Sequence, residues 1–135
     1  MRHVKAEKKK LYNYFWNAAV LKKVDIKDTV GRTVFMLGCA RGHKDVVKLF
    51  LDHLDPRIDF NVRSGISRST AIILACFNGH KDVVQLLLNH SERIELNART
   101  DDRITAFMLA CYCGHKDVVK LLMDHHERID LNTRD

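Results

Sequence analysis

An all-α solenoid of stacked helix-turn-helix units is the fold this sequence predicts, and three observations carry the prediction. The hexapeptide Gly-His-Lys-Asp-Val-Val occurs three times, from Gly42, Gly79 and Gly114, at steps of 37 and 35 residues. Each copy runs into an apolar segment: Leu49-Phe50-Leu51, Leu86-Leu87-Leu88 and Leu121-Leu122-Met123. Each also follows a Thr-led apolar stretch ending in Cys: Thr33 to Cys39, Thr70 to Cys76 and Thr105 to Cys111. Overlaid at 35 residues, 20 of the 31 pairs from Thr70–Thr100 and Thr105–Asp135 are identical, which makes the repeat the architectural unit.

Bulk properties narrow the class. With 135 residues the chain is the size of one domain, and 46% hydrophobic residues give it a core to bury. One Pro and six Gly speak against a linker-rich or all-β chain. No apolar run approaches the roughly 20 residues of a membrane span, so no membrane insertion is expected. The first ten residues are too polar for a signal peptide. Three of the four Cys occupy equivalent repeat positions. Stacked helices place such positions about 10 Å apart, beyond the roughly 7 Å between Cα atoms that a disulfide spans. A reduced, intracellular protein, cytoplasmic and/or nuclear, is the expectation, and the sequon Asn89-His90-Ser91 is then idle.

Taken in order, residues 1–28 open with a basic flank (Arg2, Lys5, Lys8, Lys9, Lys10) and an aromatic segment, Tyr14-Phe15-Trp16. Setting Thr33 over Thr105 lays Lys8 to Asn17 on His80 to Asn89 and Val24-Asp25 on Leu96-Asn97. This segment therefore reads as the second half of a degenerate repeat, acting as the cap that covers the first apolar face of a stack. Repeats follow at 29–65, 66–100 and 101–135. Within the third, Ala106 to Cys111 is apolar nearly all round, as an inner helix covered on both sides would be. Gly114 stops that helix, because Gly adopts the left-handed conformation of a helix end without a Cβ penalty. Lys116-Asp117 opens the next helix, the Asp favoured by the dipole of the first turn. Val118, Val119, Leu121 and Leu122 form its apolar stripe.

The Gly-His pair, the Val-Val that follows, the triple apolar run and the trailing Asn resemble the ankyrin repeat. That family opens its repeat on Thr-Pro-Leu-His. Here Thr33, Thr70 and Thr105 remain, Val34, Ala71 and Ala106 replace the Pro, and Met36, Ile73 and Met108 replace the His. The fingertip Gly survives as Gly31, with Arg68 and Arg103 in its place elsewhere. The resemblance implies ankyrin geometry with β-turn fingers less firmly pinned. It covers residues 8–135, with extra residues in the loops after the second helices and at Asp55-Pro56 and Ser64-Gly65. The chain stops on a repeat boundary, so an uncapped, apolar C-terminal face is expected.

No nucleophile elbow, phosphate loop, HExxH or paired-carboxylate spacing appears, and an enzyme is not expected. The ladders His43/His80/His115 and Cys39/Cys76/Cys111 recur by repetition without converging on the single centre that a metal needs, so neither metal nor cofactor is expected. The three Cys of the ladder read as small buried packing residues. His53, His90, His125 and His126 end second helices, where an imidazole bonds the last carbonyls.

Recognition of a protein partner is what remains. The resemblance implies a concave surface made by fingertips and inner helices, and its slots fall on named residues. They are Thr29, Val30, Arg32 and Ala40-Arg41 in the first repeat and Ile66, Ser67, Ser69, Phe77 and Asn78 in the second. In the third they are Asp101, Asp102, Ile104, Tyr112 and Cys113. These slots differ between copies whereas the core slots repeat. Phe77 and Tyr112 are the anchor candidates, Arg32 and Arg41 would meet acidic groups, and Asp101 and Asp102 basic ones. Two other readings stand beside an adaptor. One is a fragment of a longer array that assembles through its C-terminal face, by self-association or with further repeats. The other is a weak binder of acidic surfaces or nucleic acid through the basic N-terminus.

Overall fold

The computed structural model describes residues 26–52, 58–65 and 67–131. Among the described residues six helices alternate short and long: α1 (Val34–Ala40), α2 (Lys44–Asp52), α3 (Ala71–Phe77), α4 (Lys81–Asn89), α5 (Ala106–Tyr112) and α6 (Lys116–Asp124). The short helices stack α1 on α3 on α5 and the long ones α2 on α4 on α6, each short helix also packing on its own long partner. This is the all-α solenoid that the repeat predicts. The expected aromatic cap, His53, the Asp55-Pro56 insertion and Asn132 to Asp135 lie outside the described residues.

Each short helix starts at its Thr and stops at its Gly. Thr33 and Thr105 sit in extended backbone and accept the amide N–H of Met36 and Met108, each at 3.2 Å, which satisfies an orphan donor of the first turn. Thr70 occupies the same slot without a side-chain cap, and its hydroxyl oxygen is buried with no hydrogen-bond partner. At the other end, Gly79 N–H bonds the Cys76 carbonyl and His80 N–H the Ala75 carbonyl, a Schellman turn closed by a glycine at φ +73°. The same pair of bonds closes α1 and α5. The chain then enters the long helix with Asp45, Asp82 or Asp117 in its first turn.

The middle repeat is covered on both sides: Ala71, Ile72, Ile73, Ala75 and Cys76 of α3 are all buried. The third is not. In α5 only Ala106 and Ala110 are buried, while Met108 and Cys111 are exposed. The expectations that Cys111 packs in the core and that α5 is enclosed all round are therefore corrected. The next repeat covers the equivalent Cys39 and Cys76, and no described element covers Cys111. All four cysteines are free thiols.

The loops after the long helices carry a second set of links. Asn61 donates to the Arg93 carbonyl (3.0 Å) and accepts from Glu95 N–H (2.8 Å); Asn97 does the same with Arg128 (3.0 Å) and Asp130 (2.8 Å). A cleft of about 440 Å³ between residues 58–61 and 92–95 is bounded by these bonds. Its Arg93 guanidinium lies 4.6 Å from the Phe60 ring centre and donates to the Ile58 carbonyl, so the cleft is a structural joint. His90 and His125 each place Nδ1 against the carbonyl four residues back, at 3.0 and 2.9 Å, as expected of a His at a helix end.

Candidate functional site

The fingers rise from the N-termini of the short helices. In the first, the Asp28 carboxylate accepts the N–H groups of Val30 (3.0 Å) and Arg32 (2.8 Å) and the Arg32 Nε–H (3.0 Å). The Arg32 backbone bond leads in holding the Asp28 carboxyl below the usual carboxylate range, against desolvation, which pulls the other way. Arg32 is thus engaged within its own finger rather than free for an acidic partner. At the tips, Gly31, Arg68 and Arg103 share the left-handed backbone, with φ of 81°, 57° and 64°. The turn geometry has persisted where the glycine has not.

Adjacent fingers are joined through backbone: Gly65 N–H donates to the Val30 carbonyl (2.8 Å) and Asp101 N–H to the Ser67 carbonyl (3.2 Å). Arg63 reaches the Arg68 and Arg99 carbonyls. These bonds join the fingers without the His that the ankyrin opening would place in the fourth position.

Between the second and third fingers and the short helices behind them lies an apolar groove of about 250 Å³. Its floor is Ile73, Leu74 and Leu109; its walls include Ser67, Ile104, Asp102 and Phe77. Phe77 is 48% exposed at one end, and Tyr112 projects at 89% exposure from the C-terminus of α5. An aromatic ring that water reaches this freely contributes little to folding and is available to a partner.

Several expected contact residues are brought to this side. Thr29, Arg41, Ser67, Phe77, Asn78, Asp101, Asp102 and Tyr112 are exposed, and Val30, Ile104 and Cys113 half-buried. Ser69 is corrected: it is buried, its hydroxyl 2.8 Å from that of Ser67 beneath the finger. Asn78 is exposed, yet its side-chain amide donates to the Ala40 carbonyl (2.9 Å) and that of Leu74 (3.1 Å), so it also staples the first repeat to the second. Asp101 pairs loosely with Arg68 across the fingertips (3.5 Å). Ile66 lies outside the described residues.

Sequence reasoning did not foresee what the His43/His80/His115 ladder does. His80 Nε2–H donates to the Ala40 carbonyl of the preceding repeat (2.9 Å), and His115 Nε2–H to that of Phe77 (2.8 Å). Each ring lies flat on the preceding turn, so close that a methyl added at Gly42 or Gly79 would stand 2.5 or 2.6 Å from its Nδ1. The glycine is therefore a socket as well as a helix stop. The signal was the adjacency of Gly and His in every copy, but it spoke only once the partner was seen to come from the neighbouring repeat.

Among the described residues no group of three His, Cys, Asp or Glu side chains converges as a metal site, and no helix is long and apolar enough to cross a membrane. A family model for ankyrin repeats (3 copies) matches residues 3–98 and again 54–135. Comparison with curated proteins finds no match. The twofold match spans nearly the whole chain and the stacked units carry the geometry, so the chain belongs to the ankyrin-repeat family, whose repeats are in general protein-interaction modules.

Proposed function

We propose that this protein is a non-enzymatic adaptor that binds a protein partner along its finger side, with the Ile73–Leu74–Leu109 groove as the seat for an apolar side chain. The single observation that carries the reading is that apolar groove with the half-exposed Phe77 in its wall, Tyr112 standing exposed at the equivalent position of the next repeat. Aromatic residues beside an apolar depression are the usual energetic centre of an interface. Polar groups at its rim (Asp102, Ser67) and the nearby fingertip Asp101 would set orientation, and Arg41 would offer itself to an acidic group. The adaptor would act in the cytoplasm, the nucleus or both.

A pull-down from lysate tests it, comparing the native chain with the Arg41→Ala/Phe77→Ala/Tyr112→Ala variant, folding being checked by circular dichroism. A protein captured by the native chain and lost with the variant is the expected result. For that partner, single truncation of Phe77 or Tyr112 should weaken binding by about 2 kcal/mol. Equal capture by both chains would move the site elsewhere.

A further inference from the structure

Asn78 is the one asparagine of this chain that a glycine follows; the equivalent pairs in the other repeats are Arg41-Gly42 and Cys113-Gly114. An Asn-Gly pair carries its own reaction. The glycine backbone nitrogen attacks the carbonyl carbon of the asparagine side chain, a cyclic imide forms, and the proton that the nitrogen sheds departs with the amide as ammonia. Water then opens the imide at either carbonyl. The products are aspartate and its isomer, in which the backbone runs through the side chain. Glycine hinders this attack least, because no Cβ stands beside its nitrogen.

The folded turn keeps the reacting atoms apart. The imide ring needs Cβ of Asn78 and the Gly79 nitrogen on the same side of the Cα–C bond. Asn78 has φ −91° and ψ 0°, so its own backbone nitrogen occupies that side and tetrahedral geometry leaves Cβ a third of a turn away. Turning the peptide that far breaks the bond from Gly79 N–H to the Cys76 carbonyl (3.2 Å). It also lifts Gly79 from beneath the His115 ring, whose Nδ1 lies 2.6 Å from where a methyl on that glycine would stand. The Asn78 amide is tied down as well, donating to the Ala40 carbonyl (2.9 Å) and the Leu74 carbonyl (3.1 Å).

We infer that Asn78-Gly79 is a deamidation site gated by the repeat stack, shut in the folded array and reactive when the joints around it open. The dipeptide is where three repeats meet: its side chain rests on the first and its glycine lies under the His115 of the third. The reaction does not reverse. In the aspartate product an ionised carboxylate, which has no proton to donate, faces the Ala40 and Leu74 carbonyl oxygens that the amide had bonded. In the isomer the backbone of the turn is lengthened by a methylene. Either product leaves the first joint looser, so the chain keeps a chemical record of having opened. This inference needs no partner and stands apart from the adaptor reading.

Incubating the full chain in mildly alkaline buffer, with peptide mapping by mass spectrometry, reads conversion of amide to acid at Asn78. Deamidation is slow beside opening and closing, so its rate reports the open population. The folded chain should convert about tenfold or more slowly than the urea-unfolded chain; equal rates would overturn the inference. In urea below the unfolding transition the rate should climb with a slope, expressed as free energy, shallower than the global m-value. A slope equal to the global one would make complete unfolding the gate and sink the role of the joints. His80→Ala removes a second bond to the Ala40 carbonyl, and His115→Ala uncovers Gly79. With helicity intact, each should speed conversion about fivefold, the population change of one lost hydrogen bond. An unchanged rate in both would refute the gate, and if either variant unfolds the urea series on the native chain decides. Asn78→Asp, which carries one of the two products, should unfold at lower urea than the native chain; an unchanged midpoint would refute the lasting mark.

Discussion

The socket geometry makes Gly79→Ala and Gly114→Ala, the same change in the same turn, differ sharply in cost. Both residues hold φ at +73°, so alanine at either position introduces left-handed strain of about 1–2 kcal/mol. At Gly114 nothing else is touched. At Gly79 the new methyl stands 2.6 Å from His115 Nδ1, and the ring must leave. Its bond to the Phe77 carbonyl is then lost, about 1 kcal/mol. Overpacking or repacking of the joint adds about 1–2 kcal/mol more. Gly79→Ala should therefore destabilise by about 3–5 kcal/mol and Gly114→Ala by about 1–2 kcal/mol. Urea unfolding followed by far-ultraviolet circular dichroism reads both, with equal m-values required for the comparison. In a His115→Ala background the extra cost at Gly79 should vanish, since no ring is left to displace. Equal costs for the two glycines in the native background would refute the argument.

Arg103→Gly should raise stability by about 0.5–1 kcal/mol in the same assay, because it relieves a left-handed fingertip (φ 64°) at an exposed residue. Thiol alkylation followed by mass spectrometry should label Cys111 and Cys113 in the folded chain and reach Cys39 and Cys76 only on unfolding; burial raises both buried thiols, that of Cys76 to about 12. For acid stability the sign follows from Asp28, whose carboxyl is held low in the folded state. Its contribution is present above the unfolded carboxylate pKa of about 4 and is lost as pH falls through the lower folded value. Asp28→Asn should accordingly flatten the acid limb of a stability–pH curve and leave its neutral-to-alkaline shape unchanged.

The repeat, the helix boundaries and most of the core were legible in the sequence, because local causes decide them. The threonine that opens each short helix, the glycine that stops it and the 3.6-residue apolar stripe act within a few residues of themselves, and each is written three times. The left-handed backbone at Arg68 and Arg103 was not read from the sequence, which marked them only as standing where Gly31 does. The finger-side slots could be listed from the resemblance, but which of them are free could not. Ser69 turns under its finger, Arg32 is held by Asp28, and Asn78 bridges two repeats, all through partners that only the folded turn brings within reach. Cys111 shows the same limit: its repeat position is identical to that of Cys39 and Cys76, and its exposure depends on what lies next to it in space. The sequence by itself thus determined the repeating unit, since that follows from short-range chemistry. Tertiary structure alone decided what each copy of a repeated residue does, because a histidine seated on a neighbour's glycine and a buried thiol are relations between neighbouring units.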